Sequence, residues 1–128
     1  MSCVLDASAL LALLLREPGC ERVRGELTGA SMTTVNLAEV IGYFARLGTA
    51  EADVNSVIGP LPFEHVSFDV DLAERAGMML PLTRAAGLSL GDRACLALAA
   101  RLGVRALTAD RSWTSVGASL GVEVDLLR

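Results

Sequence analysis

Four acidic side chains stand in apolar stretches of this chain: Asp6, Glu39, Asp92 and Asp110. Two unit charges about 4 Å apart repel each other by roughly 4 kcal/mol at an effective dielectric constant near 20. If the fold brings these carboxylates together, they need a bound cation to stay charged. All-oxygen ligation favours Mg²⁺ or Mn²⁺ as one or two ions. Such ions lower the pKa of a bound water and stabilise charge on a phosphate, which is the chemistry of phosphodiester hydrolysis.

Two of these carboxylates follow predicted strands. Asp6 comes directly after a short apolar strand at 2–5, and Asp110 comes two residues after a strand at 104–108. In an open parallel sheet, ligands bind beyond the carboxyl ends of the strands, where the strand order reverses. If the two strands are neighbours, we expect Asp6 and Asp110 to share that edge of the sheet.

The other two carboxylates lie on predicted helices. Glu39 falls in a polar stripe of an otherwise apolar helix at 35–47. Asp92 lies in the first turn of an apolar helix at 91–102, which Gly103 ends. The second helix leads into the strand that precedes Asp110, so we expect both carboxylates to face the same crevice.

The remaining segments continue an alternation of strands and helices. Further helices are predicted at 7–15, 21–27, 49–58 and 69–80, and further strands at 30–33, 63–68 and 122–126. Thr49 and Asp69 are predicted to cap the helices that follow them. The last of these helices is expected to bury Val70, Ala73, Gly77 and Leu80. The pattern predicts an α/β fold, a parallel sheet covered on both faces, in one domain over 1–128.

Composition limits the classes of function. Hydrophobic residues make up 52% of the chain and aromatic residues only 4%, which predicts an aliphatic core and argues against disorder. The net charge is −4 and the eleven basic residues are all arginine, which argues against a protein that coats nucleic acid. An enzyme whose acidic site binds metal remains compatible with that charge. His65 is the only histidine, which argues against a Cys/His zinc site.

The cysteines and the apolar N-terminal run bear on the compartment. Cys3, Cys20 and Cys95 are odd in number and far apart, which predicts free thiols, two of them buried, in a reducing compartment. The apolar run at 7–15 stops at Arg16, well short of a membrane span. We therefore expect a cytoplasmic protein without membrane contact.

Each acidic residue also has a purely structural interpretation. Asp6 could cap the first helix, and Asp92 could complete a capping box with Ser89. Glu39 could be an ordinary solvated helix residue, and Asp110 could belong to a turn. The functional interpretation therefore depends on the set, because no member alone distinguishes a metal ligand from a local structural role.

Four short segments resemble the motifs of a known family, in its order and at about its spacing: 4–9, 36–40, 88–93 and 107–113. On these segments the chain resembles the PIN-domain ribonucleases. It is most similar to the VapC-type toxins of bacterial and archaeal toxin–antitoxin pairs. The resemblance extends over nearly the whole chain.

The resemblance implies a three-layer α/β/α sandwich around a central parallel sheet of four to five strands. It also implies a metal-dependent endoribonuclease that acts as the toxin of a type II toxin–antitoxin pair, with RNA as substrate, a cognate antitoxin and a homodimer. The catalytic site, with Mg²⁺ or Mn²⁺, would lie at the four acidic residues Asp6, Glu39, Asp92 and Asp110. Ser8 and Thr108 match positions whose hydroxyls support the metal ligands.

Three residues near the acidic positions have more than one interpretation. Arg93 and Arg111 could bind RNA phosphates, or they could form ion pairs or stay solvated. Trp113 could stack on a base or could pack against the domain.

The helix at 7–15 is apolar on nearly every side, so it is either a partner surface or fully covered within the domain.

Three other functions can be compared with the residues that this chain contains. A phospho-accepting receiver domain needs a lysine near its last strand, and this chain has none. A phosphatase with an aspartyl nucleophile would have a second aspartate at position 8, where Ser8 stands. The more serious alternative is a non-catalytic protein-interaction module in which the acidic residues serve only as caps.

Overall fold

A computed structural model describes residues 2–128. Its centre is a five-stranded sheet formed by β1 (Cys3–Leu5), β2 (Ala30–Thr33), β3 (Glu64–Val66), β4 (Arg105–Thr108) and β5 (Val124–Leu126). All paired strands are parallel, and their order is β3-β2-β1-β4-β5. The chain builds outward on one side of β1 and then returns to the other side. The strand order therefore reverses at β1, where β1 and β4 are neighbours.

Helices cover both faces of the sheet. They are α1 (Ala7–Leu14), α2 (Cys20–Glu26), α3 (Thr34–Arg46), α4 (Glu51–Ile58), α5 (Val70–Met78), α6 (Leu80–Thr83), α7 (Leu90–Leu102) and α8 (Gly117–Leu120). Short 3₁₀ turns occupy Leu27–Gly29 and Arg111–Ser115. Residues of α1 to α4 form one apolar core, and residues of α5, α7 and the segment after β4 form the other. The expected α/β/α class with five parallel strands is confirmed.

The central strand divides its side chains between the two cores. Cys3 and Leu5 enter the core on the α1 side, and Val4 enters the core on the α7 side. This follows because successive side chains of a strand point to opposite faces of the sheet. Trp113 is also fully buried in the second core, so packing, and not base stacking, is its role.

Helix α7 begins and ends as its sequence predicts. The Ser89 hydroxyl accepts a hydrogen bond from the Asp92 backbone N–H at 3.2 Å, and Asp92 Oδ2 accepts one from the Ser89 N–H at 2.9 Å. This reciprocal pair is a capping box. Gly103 ends the helix in the left-handed conformation, with φ of 66°. The capping box fixes the backbone of the turn that carries Asp92.

Loss of this cap should cost measurable stability. Ser89→Ala is expected to lower the free energy of unfolding by about 1 kcal/mol, because the Asp92 N–H loses its acceptor. Urea unfolding measures this loss. The matched control Ser67→Ala changes an exposed serine in the connection before α5 and should alter the midpoint little. Equal stability of Ser89→Ala and the wild type would contradict this role.

Two details of the helices differ from the sequence-based expectations. Thr49 does not cap α4, because Ala50 occupies the N-cap position and no side chain caps this helix. Asp69 does cap α5, since its carboxylate accepts a hydrogen bond from the Leu72 N–H. The expected apolar face of α5 is wrong, because Val70 is 75% exposed. The face that packs against α7 and the sheet is formed instead by Leu72, Ala76 and Met79.

Helix α1 is covered within the domain over most of its length. Five of its residues are buried, and its neighbours include α2, α3 and the two central strands. Leu11 and Leu14 are half-buried and Leu15 is 38% exposed, so the domain leaves the C-terminal end of this helix partly open, and a partner surface there stays a prediction. Cys3 and Cys95 are buried free thiols, as expected, and Cys20 is partly exposed. Over residues 2–128, no helix combines the length and the apolar character that a membrane crossing requires.

Candidate functional site

Asp6 lies at the carboxyl end of β1, where its backbone N–H donates to the Leu107 carbonyl of β4. The residue occupies the N-cap position of α1, but its side chain makes no capping hydrogen bond. Instead, Oδ2 accepts hydrogen bonds from Ser8 Oγ at 2.7 Å and from Thr108 Oγ1 at 2.9 Å. The helix-cap interpretation of Asp6 is therefore wrong.

The two hydroxyls connect Asp6 to the segment that follows β4. Ser8 Oγ accepts from the Ala109 N–H at 3.0 Å, and Thr108 Oγ1 accepts from the Asp110 N–H at 3.0 Å. Because these backbone groups occupy hydroxyl lone pairs, the hydroxyl protons are free to point at the carboxylate. Ser8 and Thr108 thus orient Asp6 and hold the backbone that leads into Asp110.

Burial makes Asp6 an unusual carboxylate. It is 5% exposed. Desolvation is the main cause that raises its pKa to about 6, and the hydrogen bonds from Ser8 and Thr108 partly offset that rise. The charges of Asp92 and Glu39 raise the pKa further. The three carboxylates therefore lie within electrostatic reach of one another.

Glu39 reaches this crevice from α3. Its Oε1 accepts a hydrogen bond from Asn36 Nδ2 at 3.0 Å, and its carboxylate lies against the backbone of Gly91 in α7. Partial burial raises the pKa of Glu39, the Asn36 hydrogen bond lowers it, and the charge of Asp92 raises it. Glu39 is exposed, as a solvated helix residue would be, and the Asn36 amide and the Gly91 backbone define where its carboxylate lies.

Asp92 has a structural role and a place beside the other carboxylates. Oδ2 belongs to the capping box of α7, so that structural interpretation is correct. Burial raises the pKa of Asp92, the Ser89 hydrogen bonds lower it, and the charge of Asp110 raises it. The capping bond uses Oδ2, so Oδ1 is the oxygen that Asp92 can offer to another group.

Asp110 lies at the exposed rim of the site. Its Oδ1 accepts hydrogen bonds from the Ser112 N–H at 2.9 Å and from Ser112 Oγ at 2.7 Å. These bonds cap the 3₁₀ turn after β4, so the turn interpretation is also correct. Its charge raises the pKa of Asp92, so Asp110 acts electrostatically on that carboxylate from the rim.

The chemistry of these oxygens fits a hard divalent cation, but the side chains do not already form a closed cage. Across residues 2–128, no three His, Cys, Asp or Glu side chains converge closely enough to hold one ion. Mutual repulsion and the local bonds of Asp92 and Asp110 oppose closer approach. Any cation would therefore draw in side chains that start from hydrogen-bonded positions.

The two neighbouring arginines differ in their surroundings. Arg93 donates from NH1 to the Ala76 carbonyl at 2.9 Å, so it ties α7 to α5. It is partly buried and forms no ion pair with a carboxylate of the described residues, so the ion-pair interpretation is wrong for Arg93. Arg111 is exposed at the start of the 3₁₀ turn. Contact of either arginine with RNA phosphate stays a prediction.

Sequence reasoning missed Asn36 and Gly91 as parts of the site. Asn36 was visible only as a member of the polar stripe of α3, three residues before Glu39. Asn36 lies about one helical turn after the Thr33 cap and about one turn before Glu39. This spacing is the sequence signal that could have indicated contacts with both residues. The packing of α3 against α7, which brings Gly91 to Glu39, has no local signature.

The hydroxyl support of Asp6 yields a prediction. Thr108→Val keeps the side-chain shape but removes one hydrogen bond to the carboxylate, so it should raise the pKa of Asp6 further. Because hydrogen bonds to charged groups contribute about 1.5–3 kcal/mol, Mn²⁺ affinity at pH 6 should fall roughly 10–100-fold. Calorimetric titration with Mn²⁺ tests this. Thr114→Val, at an exposed threonine, is the control, and equal losses in both variants would contradict the role of Thr108.

Comparisons with known proteins agree with this fold. The family model of the PIN domain matches residues 3–118. No curated protein matches the chain. DNA-bound VapBC from Salmonella typhimurium is 16% identical, with TM-score 0.78 over 100% of this chain and 99% of that one. A Sarcin-Ricin loop cleaving toxin, VapC20 of Mycobacterium tuberculosis, is 19% identical, with TM-score 0.75 over 90% and 95%. A toxin–antitoxin complex from Klebsiella pneumoniae is 16% identical, with TM-score 0.73 over 98% of each chain.

Proposed function

This chain belongs to the PIN-domain family, and on that premise we propose that it is a metal-dependent endoribonuclease and the toxin of a type II toxin–antitoxin pair. The observation that carries the proposal is the buried Asp6 carboxylate with Glu39 and Asp92 within electrostatic reach. A buried carboxylate that neighbours two others, with no basic partner among residues 2–128, is costly unless a cation binds there. The toxins and toxin–antitoxin complexes among its structural neighbours support the biological role.

The acidic residues have distinct parts in this proposal. Asp6, Glu39 and Asp92 would hold one or two Mg²⁺ or Mn²⁺ ions, and Asp110 would complete the site from its rim. When bound, such an ion neutralises charge on the scissile phosphate and lowers the pKa of a water. Ser8 and Thr108 keep Asp6 aligned through their hydrogen bonds.

The partners follow from the same proposal. RNA would approach the open side of the crevice, where Asp110 and Arg111 are exposed, and the guanidinium of Arg111 would bind a phosphate beside the cleavage site. Arg93 would add a second phosphate contact through its NH2, since NH1 donates to the Ala76 carbonyl and Nε is buried. A cognate antitoxin, a homodimer and a cytoplasmic location complete the proposed setting.

Cleavage of RNA by the purified protein tests this function. Incubation with a mixture of single-stranded and hairpin RNAs in Mg²⁺ should give internal cuts, EDTA should stop them, and added Mn²⁺ should restore them. A preparation of Asp6→Asn made in parallel controls for contaminating ribonuclease. Cleavage that persists in EDTA, or equal cleavage by the variant, would contradict the proposal.

A non-catalytic interaction module is the second candidate. The capping bonds of Asp92 and Asp110, together with the lack of a preformed ion cage in residues 2–128, favour it. That function predicts no saturable Mn²⁺ binding, because caps need no cation. The nuclease function predicts binding that depends on Asp6, so one titration separates the two.

A further inference from the structure

The buried amide of Asn36 joins three elements beside the carboxylates. Asn36 has no exposed surface. Its Oδ1 accepts from Thr33 Oγ1 at 2.7 Å, and its Nδ2 donates to Glu39 Oε1 at 3.0 Å and to the Gly91 carbonyl at 2.9 Å. A primary amide carries two N–H donors, so both are used. The side chain therefore links the end of β2, the middle of α3 and the first turn of α7.

Gly91 provides the space for the Glu39 carboxylate. A methyl group at this position would lie 2.5 Å from Glu39 Cδ, which is far inside ordinary contact distance. The backbone of Gly91 is not in the left-handed region, so its conformation does not require glycine. Glycine is also among the least favourable residues within a helix. Glycine at this position is therefore what allows the Glu39 carboxylate to lie this close to α7.

These contacts hold Glu39 against a repulsive neighbour. The carboxylate of Asp92, which carries the same charge, belongs to the residue directly after Gly91 in α7. The amide contacts Oε1, so Oε2 remains the oxygen that Glu39 can offer to an ion. An aspartate at position 36 could not replace this amide, because it has no N–H donors for Glu39 and would add a further negative charge.

We propose that Asn36 and Gly91 are positioning residues, which together fix the Glu39 carboxylate against α7 at the place where it binds the metal ion. Asn36 holds one oxygen of Glu39, and the bare Cα of Gly91 lets the carboxylate lie on the helix backbone. The inference rests on the proposed function in one respect, that the ion is the divalent metal proposed above.

Gly91→Ala tests this positioning without removing any polar group. The methyl displaces Glu39, while alanine favours the helix, so the Tm should stay within a few degrees of the wild type. Mn²⁺ affinity, measured by calorimetry, should fall about 10–100-fold, as it does when groups that orient metal ligands are removed. Gly42→Ala is the matched control, because a methyl there meets no atom within 4 Å, and its Mn²⁺ affinity should equal that of the wild type.

Asn36→Ala should lower Mn²⁺ affinity over the same range, with Asn55→Ala, at an exposed asparagine of α4, as its control. In a Glu39→Ala background, neither Gly91→Ala nor Asn36→Ala should change the remaining affinity, because the residue through which both act is gone. If Gly91→Ala or Asn36→Ala lowered the Mn²⁺ affinity equally with and without Glu39, the effect would be a general structural one, and the proposal would be overturned. Wild-type affinity in Gly91→Ala would also overturn it.

The outcomes separate this inference from the proposed function. A wild-type protein that binds Mn²⁺ but cuts no RNA would contradict the nuclease function and leave the positioning result standing. Suppose instead that the wild type cuts RNA and that Gly91→Ala matches it in both cleavage rate and Mn²⁺ affinity. That result would overturn the positioning role alone. A wild-type protein that binds no Mn²⁺ would overturn both.

Discussion

Asp6→Asn is expected to lower RNA cleavage by about 10³-fold or more while the protein stays folded. The substitution preserves shape and keeps an oxygen that can accept from Ser8 and Thr108, but it removes the charge at the centre of the proposed metal site. Loss of a ligand that stabilises transition-state charge costs several kcal/mol, and about 4 kcal/mol corresponds to roughly 10³-fold. Initial rates with a fluorogenic RNA in Mg²⁺ measure the loss.

The matched control is Asp53→Asn, which makes the same chemical change at an exposed aspartate of α4. It should cleave RNA at the wild-type rate. Circular dichroism and the Tm of both variants show whether the fold is intact. Folded Asp6→Asn that retains more than about a tenth of the wild-type rate would be incompatible with a metal site at this carboxylate.

Metal-free stability should depend on pH in a direction set by Asp6. Its pKa is about 6 in the folded protein against 3.8 for an ordinary aspartate, so the folded state binds more protons between these values. This contribution to stability is therefore present below pH 3.8 and is lost as the pH rises through 6. A shift of about 2 pKa units corresponds to about 3 kcal/mol.

The difference in unfolding free energy between the wild type and Asp6→Asn isolates this effect from the other titrating groups. Relative to the variant, the wild type should lose about 2 kcal/mol between pH 4 and pH 7 in EDTA, because part of the total is already lost by pH 4. Urea unfolding at several pH values measures the change. Added Mg²⁺ should restore stability to the wild type at pH 7 and have little effect at pH 4. A difference that stays constant across this range would refute the role assigned to the buried Asp6 charge.

Local signals in the sequence predicted much of the fold correctly. Ser89 and Gly103 mark the ends of α7 because capping chemistry acts within one turn of the helix. The apolar strand before Asp6 and the strand before Asp110 identified the edge of the sheet because parallel strands end together. The pairing of β1 with β4 brings the segments that carry Asp6 and Asp110 side by side.

The errors arose where tertiary packing decides the outcome. The buried face of α5 depends on how the helix lies on α7, and Val70 is exposed although its spacing fitted an apolar stripe. Arg93 next to Asp92 favoured an ion pair, but its guanidinium donates to the Ala76 carbonyl of α5.

Part of the candidate site also lay beyond sequence reasoning. The four acidic positions were predicted from their apolar surroundings and from the family resemblance. The burial of Asn36 and the close approach of Glu39 to Gly91 depend on the contact between α3 and α7, which are distant in the chain. Asp92 and Asp110 each make a capping hydrogen bond and also lie among the acidic residues. A local structural role therefore does not exclude a role as a metal ligand.

Calorimetric titration of metal-free protein with Mn²⁺ at pH 6 tests most directly whether these carboxylates form a cation site. The wild type should show saturable binding with proton release, which appears as a difference in heat between two buffers of unlike ionisation enthalpy, because Asp6 is partly protonated at that pH. Asp6→Asn should show no saturable binding. Absence of binding in the wild type, or binding by Asp6→Asn with unchanged affinity, would contradict the cation site.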